Sequence, residues 1–157
     1  PDHLQLQTWN SDLNSAALHV VNETFEDHWG HIPLDEEHYQ TWIIQHESFR
    51  PELSFMVMDG EQIAGLTINR IRDAENEAAG IKEGWIGTLG VRRPWRNQGV
   101  ASAILCTSMH AFQAAGMETA GLTVDADNLT GALRIYERLG FFVIKQINQY
   151  SKTIQME

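Results

Sequence analysis

The spacing of apolar residues changes repeatedly between that of strands and that of helices. Residues 3–9 alternate apolar and polar side chains, which predicts a first strand. A helix beginning at Ser11 or Asp12 and ending near Glu26 would place its apolar residues on one face. Residues 34–46 repeat that pattern with acidic residues near the start, which predicts a second amphipathic helix.

The middle of the chain carries signals for turns and a hairpin. Residues 27–33 contain glycine and proline, which predicts a loop between the first two helices. Residues 53–71 are apolar on both sides of Asp59 and Gly60, a typical hairpin turn. Residues 73–84 are polar, and an exposed connection is predicted there.

The second half predicts strands and helices in alternation. A strand is predicted over residues 85–91, a long helix over 98–115 and another strand over 118–125. A helix over 129–140 and one or two strands over 141–156 complete the chain. The pattern predicts a single mixed α/β domain that spans residues 1–157.

Composition agrees with an ordinary globular domain. The 157 residues are 43% hydrophobic and 20% charged, and their apolar runs are too short to cross a bilayer. No signal peptide is visible, and the start at Pro1 fits a processed, trimmed or longer parent protein. The single cysteine, Cys106, fits a reducing compartment, so a cytoplasmic location without membrane association is expected.

The charges are distributed unevenly. The formal net charge is −10, yet no Asp or Glu occurs between Glu83 and Glu118. Three arginines, Arg92, Arg93 and Arg96, stand in that stretch, directly before the predicted long helix. Because three arginines cannot outweigh the surrounding negative charge, nucleic-acid binding is not expected.

The arginines coincide with a helix start, which is itself an anion-binding feature. A helix N-terminus carries partial positive charge and unpaired N–H groups. Gly99 would let a ligand approach the backbone, and the small Ala101 and Ser102 would keep the next turn open. These features favour a phosphate or pyrophosphate site, whereas the alternative is that the arginines are merely solvated. The spacing matches neither a P-loop nor a Rossmann fingerprint.

Two stretches resemble motifs of one family. LGVRRPWRNQGVASAIL (89–105) is similar to the acyl-CoA-binding signature of the GNAT superfamily of N-acetyltransferases, Q/R-x-x-G-x-G/A, which here runs from Arg96 to Ala101. The second family motif is similar to residues 124–141, with Asn128, Ala132, Tyr136, Gly140 and Phe141 at the matching positions. The resemblance implies a mixed, mostly antiparallel sheet of six or seven strands, flanked by four helices and splayed at the cofactor site.

The resemblance also implies a cofactor, acetyl-CoA or a related acyl-CoA. Its pyrophosphate would lie on the amides of Gln98 to Ser102, and its pantetheine arm along Leu89 to Val91. Asn128 and Arg138 would steady it, although Arg138 would equally suit an exposed helix position. The implied cofactor-binding residues are Leu89, Gly90, Val91, Arg96, Asn97, Gln98, Gly99, Val100, Ala101, Ser102, Asn128 and Arg138.

Acyl transfer to an amine needs a proton donor for the thiolate and a route for the amine proton. The resemblance gives Tyr136 the donor role, and the alternative is that this ring simply packs on its helix. Many relatives carry a glutamate base where this chain has Trp85. The base therefore stays open between water and four side chains: Glu83, Asp27, His28 and His31.

The resemblance places acceptor binding in the loop of residues 25–33. Acidic side chains there would hold a cationic amine, and Trp29 offers a stacking face. The predicted acceptor-binding residues are Glu26, Asp27, His28, Trp29 and Trp85. His28 and His31 lack a matched carboxylate or cysteine partner, so no metal site is predicted.

The sequence therefore predicts an N-acyltransferase that uses direct attack by a primary amine of a small molecule, peptide or protein. The alternative is a catalytically weak or inactive GNAT module that binds acyl-CoA as a sensor or structural ligand. The DHWG loop (27–30) resembles that of tandem GNAT proteins of the mycothiol synthase type, so a tandem partner domain or a homodimer is a further expectation.

Overall fold

The structure, a computed structural model, describes residues 1–28, 30–125, 131–148 and 150–153. The strands within these ranges are β1 (Leu4–Thr8), β2 (Phe55–Asp59), β3 (Gln62–Ile71), β4 (Glu83–Val91) and β5 (Thr119–Leu122). The α-helices are α1 (Asn14–Phe25), α2 (Glu36–Tyr39), α3 (Asp73–Ala79), α4 (Val100–Ala114) and α5 (Ala132–Arg138). α2 continues directly into a π-helical turn over Gln40–Ile44.

The strands form one sheet in the order β1-β2-β3-β4-β5. Neighbours are antiparallel except for the parallel pair β4 and β5. That pair covers only Glu83–Ile86 of β4 against Thr119–Leu122 of β5. Beyond Ile86, β4 continues to Val91 while paired only with β3, which leaves a gap between β4 and β5.

A β-bulge interrupts β4 at the point where the gap begins. Ile68 of β3 pairs with Thr88, and the next residue, Asn69, pairs with Ile86. Gly87 is therefore the extra residue on β4. A bulge bends its strand and increases the local twist, and this bulge separates the paired half of β4 from the half that borders the gap.

The helices cover both faces of the sheet. α1, α2 and the π-helical turn pack on one face, with Tyr39, Met56, Leu66 and Ile68 fully buried. α4 packs on the opposite face through two apolar clusters that contain Val57, Ala64, Val100, Ile104, Ile71, Ile86, Leu105 and Phe112. β3 is thus buried on both faces, as expected for a strand in the middle of such a sheet.

A buried polar network connects α4 to β3 behind the bulge. The Asn69 amide donates to Leu53 O at 2.6 Å and to Ser108 Oγ at 2.8 Å. Thr67 Oγ1 lies 2.9 Å from both Asn69 Oδ1 and Thr88 O. Since buried polar groups are costly unless they are hydrogen-bonded, this network fixes α4 and β4 on the shared β3.

The architecture confirms the mixed α/β fold and corrects the expected element counts. The described residues form five strands and five α-helices, where six or seven strands and four helices were expected. The predicted strands over 141–156 are absent from 141–148 and 150–153, where Phe142, Val143, Ile144, Ile147 and Tyr150 are exposed. The alternation of apolar residues is present there, but the segment pairs with no described strand edge.

The fifth helix is α3, which lies where an exposed connection was predicted. It ends at Gly80 in the left-handed conformation, with φ +65°. Asn76 is buried, and its side-chain amide donates to Glu83 O at 2.9 Å. Because α3 is anchored by this polar side chain, it lacks the apolar periodicity on which the prediction depended. None of the helices in the described ranges is long and apolar enough to cross a membrane.

Tyr39 gives a test of the packing around α2. The residue is fully buried, its hydroxyl has no hydrogen-bond partner among the described residues, and burial raises its pKa. We expect Tyr39→Phe to increase the free energy of unfolding by about 1 kcal/mol, because an unpaired buried hydroxyl is costly. Chemical denaturation at neutral pH measures the change, with Tyr150→Phe at a 90% exposed position as the control.

The same substitution changes the pH dependence. Because folding raises the pKa of Tyr39, ionisation of this residue favours the unfolded chain above pH about 10, and the folded state loses stability as pH rises towards the folded pKa. Tyr39→Phe should therefore lose less stability between pH 9 and pH about 11 than the wild type does. A loss of stability at neutral pH would show that the hydroxyl has a partner.

Candidate functional site

The gap between β4 and β5 opens into a cleft of about 820 Å³, here called the first cleft. Its walls are the second half of β4, the end of β5 with residues 123–125, and one side of α5. The start of α4 also lines the cleft, as do Thr24 and Phe25 at the end of α1 and His28 in the residues that follow. Five structural elements therefore converge on one groove.

The start of α4 in this cleft has no side-chain cap. Gly99 is the N-cap residue, and the first bond of the helix runs from Ala103 N to Gly99 O at 2.9 Å. The N–H groups of residues 100–102 precede that bond and are available to a ligand. An uncapped N-terminus with small residues on its first turn suits an anion.

The backbone before α4 contains two left-handed residues. Gly99 has φ +82° and Asn97 has φ +61°. A Cβ built at Gly99 would meet nothing within 4 Å. Glycine is therefore required at position 99 by the backbone conformation, and the space beside it faces the first cleft.

Two of the three clustered arginines are engaged by acidic residues of α1 and the residues after it. Arg92 Nε donates to both carboxylate oxygens of Glu23, at 3.1 and 3.0 Å. Arg93 pairs with Asp27 at 2.6 Å and with Glu26 at 3.0 Å. The Arg93 guanidinium holds the pKa of the Asp27 carboxyl below its ordinary value through a hydrogen bond and charge attraction.

These pairs bear on the predicted acceptor site. Glu26 and Asp27 do not line the first cleft, and a cationic amine would have to compete with Arg93 for their carboxylates. Both pairs are exposed to solvent, where ion pairs contribute little to stability. Their role in amine binding stays a prediction.

Arg96 is the arginine of this cluster that lines the cleft. Its Nε donates to Val91 O at 3.0 Å, which folds the side chain against the end of β4. It makes no ion pair with a carboxylate among the described residues. The positive charge predicted at the helix start therefore reaches the cleft through Arg96 and the backbone N–H groups.

Tyr136 lines the same cleft from α5. Its ring contacts Phe141 edge to face, with 6.0 Å between ring centroids. Burial raises the pKa of its hydroxyl above the ordinary value of 10. The phenol is therefore protonated at neutral pH, as a proton donor must be.

Most residues predicted for cofactor binding meet in this cleft. They are Leu89, Gly90, Val91, Arg96, Asn97, Gly99, Val100, Ala101, Ser102 and Arg138. Gln98 does not line it, because its side-chain amide donates to Pro94 O at 2.9 Å. Of the predicted acceptor residues His28 lines the cleft and Trp29 lies outside the described residues, as does Asn128, which was predicted to bind the cofactor.

Several lining residues were missed by the sequence prediction. Thr24 contacts β4 so closely that a Cβ at Gly90 would lie 2.5 Å from its Oγ1. Arg134 lines the cleft one helical turn before Arg138, and this i, i+4 spacing was the available signal. No local pattern marks Thr24, because its role depends on how α1 packs on β4.

Trp85 lies in a second cleft of about 680 Å³. This second cleft lies between residues 46–48, the end of β3, α3 and the start of β4. The Arg72 guanidinium lies 3.8 Å from the Trp85 ring centroid and pairs with Glu83 at 3.3 Å. Glu83, a candidate base, is therefore already engaged. In the described ranges no three His, Cys, Asp or Glu side chains form a group that could hold a metal ion.

Comparison with known proteins adds a family match. The model of the acetyltransferase (GNAT) family matches residues 14–141. N-alpha-acetyltransferase 30 of Schizosaccharomyces pombe is 29% identical over 100 residues, which are 64% of each chain. A mycothiol acetyltransferase of Streptomyces avermitilis is 32% identical over 150 residues, which are 90% of this chain and 44% of the relative.

A solved structure agrees with the fold. The aminoglycoside acetyltransferase AAC(6′)-Iy, in complex with the bisubstrate analogue CoA-S-monomethyl-acetylneamine, superposes with a TM-score of 0.72 at 16% identity. The match covers 97% of this chain and 99% of that one. The chain spans less than two thirds of the length of the curated relatives it matches, such as 64% and 44% of the two above.

Proposed function

The chain belongs to the GNAT family of acetyltransferases, and we propose that it transfers an acetyl group from acetyl-CoA to a primary amine. The observation that carries the proposal is the continuity of the first cleft. One groove joins the uncapped start of α4 to Tyr136 along the half of β4 that β5 leaves unpaired.

The chain's groups fit coenzyme A along this groove. The N–H groups of residues 100–102 and the Arg96 guanidinium suit a diphosphate, which prefers N–H donors and positive charge. Residues 87–91 offer strand backbone groups on the side of the gap, where the amides of an extended arm can pair like a strand. Arg134 and Arg138 add cations on the α5 wall.

Acetyl-CoA brings an activated thioester, and the chain supplies orientation and proton transfer. A neutral amine forms the new carbon–nitrogen bond as the carbon–sulfur bond breaks. One proton leaves the amine, and Tyr136 delivers one to the departing sulfur. His28 lines the first cleft, so it or water is the proposed route for the amine proton, because Glu83 and Asp27 are both held in ion pairs.

The relatives support an amine as the acceptor group but do not indicate which class of amine this chain acetylates. The two relatives named above are, by their names, an N-alpha-acetyltransferase and a mycothiol acetyltransferase, and the solved neighbour is an aminoglycoside acetyltransferase. The first name states transfer to nitrogen and aminoglycosides carry amines, which supports direct acetylation of an amine here. We propose a cytoplasmic location, and a tandem domain or homodimer stays a prediction.

Thiol release tests the proposal. The protein is incubated with acetyl-CoA and a panel of primary amines, and free coenzyme A is measured together with the acetylated product by mass spectrometry. Equal amounts of thiol and acetylated amine are expected for at least one acceptor class. Tight binding of coenzyme A without turnover on any amine would instead favour the alternative, a non-catalytic acyl-CoA-binding module.

A further inference from the structure

Arg70 is a partly buried cation in the second cleft that the proposed mechanism does not use. It lies on β3, on the face that α2 covers. Its Nη1 donates to Ser48 Oγ at 3.2 Å and its Nη2 to Trp42 O at 3.0 Å. Ser48 is buried and also contacts His46 Nδ1 at 2.8 Å. The guanidinium is thus held in place by uncharged acceptors, with three of its five N–H groups left for a ligand.

The cations beside Arg70 are neutralised, whereas Arg70 is not. Arg50 pairs with Asp73 at 2.6 Å and Arg72 with Glu83 at 3.3 Å. Arg70 makes no ion pair with a carboxylate in the part of the chain that the structure describes. Burial, and then the charge of Arg72, lower its pKa, because no paired carboxylate offsets them.

Arg70 lies beside the bulge on β4, next to a residue that lines the first cleft. It pairs with Trp85 in the β3–β4 register. A Cβ at Gly87 would lie 3.1 Å from Arg70 Nε, and Gly87 itself lines the first cleft. At the bulge, Gly87 therefore lies between the Arg70 guanidinium and the first cleft. Gly87 has no side chain, so only backbone separates the two at this point.

The rim of the second cleft is acidic. Glu47, Asp73, Glu75 and Glu77 line it, and of these Asp73 is already paired with Arg50. The acidic rim attracts a cationic amine to the cleft, and because the other lining cation, Arg72, is paired with Glu83, Arg70 is the lining guanidinium left for a carboxylate. The arrangement suits a ligand that carries both charges, with its anionic group at Arg70.

We propose that Arg70 binds the carboxylate of an acceptor that carries both an amine and a carboxylate, as a free α-amino acid does. This inference rests on the proposed acetyl transfer and narrows its acceptor class. The carboxylate at Arg70 would hold the amine beside the bulge at Gly87, next to the cleft assigned to acetyl-CoA. The hydrogen bonds to Ser48 and Trp42 hold the Arg70 guanidinium in place. Acceptors that lack the carboxylate should therefore be acetylated with a lower kcat/KM.

The first measurement uses the wild-type chain alone. We compare kcat/KM for a series of α-amino acids with that for the corresponding α-amino amides, which keep the amine but lack the carboxylate. The amino acids should be favoured by about tenfold or more, the worth of one charge-assisted interaction. An aminoglycoside, which carries several amines and no carboxylate, should be a poorer acceptor than the amino acids.

The second measurement assigns the preference to Arg70. Arg70→Gln should bring the ratio of amino acid to amide close to one, mainly through KM for the amino acid, and Arg70→Lys should retain part of it. Lys82→Gln removes an exposed positive charge elsewhere and should leave the ratio unchanged. If thermal melting shows that Arg70→Gln does not fold, Arg70→Lys and the wild-type ratio decide the question.

The outcomes separate this inference from the proposed function. Absence of thiol release with every amine would contradict acetyl transfer itself. Turnover in which amides match amino acids, or a preference that survives Arg70→Gln, would overturn the role of Arg70 and leave acetyl transfer intact. Preferential turnover of aminoglycosides would likewise overturn it.

Discussion

Gly99→Asp is expected to weaken binding of coenzyme A about 100-fold, as measured by calorimetry. The substitution places a carboxylate at the uncapped start of α4, where the diphosphate is proposed to accept hydrogen bonds from residues 100–102. The new carboxylate would cap those N–H groups and repel the phosphates. A Cβ at this position meets no protein atom within 4 Å, so the effect should arise from the ligand site.

A matched control exists at the other end of the same helix. Gly116 has φ +85°, close to the +82° of Gly99, and a Cβ there also meets nothing within 4 Å. Gly116→Asp should therefore introduce the same backbone strain, which costs about 1 kcal/mol of stability, without weakening the binding of coenzyme A. Equal losses of affinity in both variants, or none in Gly99→Asp, would exclude the start of α4 as the diphosphate site.

Tyr136→Phe is expected to lower kcat by about 100- to 1,000-fold, the usual contribution of a positioned general acid. The ring and its contact with Phe141 are retained, so KM for acetyl-CoA should change little. Steady-state thiol release measures both constants. Tyr150→Phe is the control, because that ring is 90% exposed and lies outside the first cleft.

The pH dependence of kcat distinguishes a general-acid role of Tyr136 from a purely structural role of its ring. Because burial raises the pKa of Tyr136 above 10, its hydroxyl should stay protonated throughout the neutral and mildly alkaline range. No fall in kcat that depends on Tyr136 is expected below pH about 10. A Tyr136→Phe variant with wild-type kcat would show that the ring only packs on α5 and that water protonates the sulfur.

The start of α4 could be predicted well from sequence because its signals are local. Apolar periodicity marks the helix and Gly99 marks its start, whereas the anion site at the arginines stays a prediction. The hairpin at Asp59 and Gly60 was marked in the same way and is confirmed by the pairing of β2 with β3. Such features need only a few neighbouring residues to be recognised.

Features that depend on distant residues could not be predicted. Which arginine faces the cleft is decided by α1, since Arg92 is bound by Glu23, a residue 69 positions away. Arg70 belongs to no sequence motif. It lacks an ion pair because the nearby carboxylates of Asp73 and Glu83 pair with Arg50 and Arg72 instead. α3 was missed because its buried residue is an asparagine rather than an apolar side chain.

The two clefts share no lining residue among those described, although Arg70 of the second lies beside Gly87 of the first at the bulge on β4. On the proposed role of Arg70, substitutions at His46, Arg70 or Trp85 would alter acceptor choice and leave the lining residues of the first cleft unchanged. With the two clefts separate, single substitutions in the second cleft could change the amine acceptor during evolution while the acetyl-transfer activity is retained. The same layout recommends libraries confined to the second cleft for laboratory evolution.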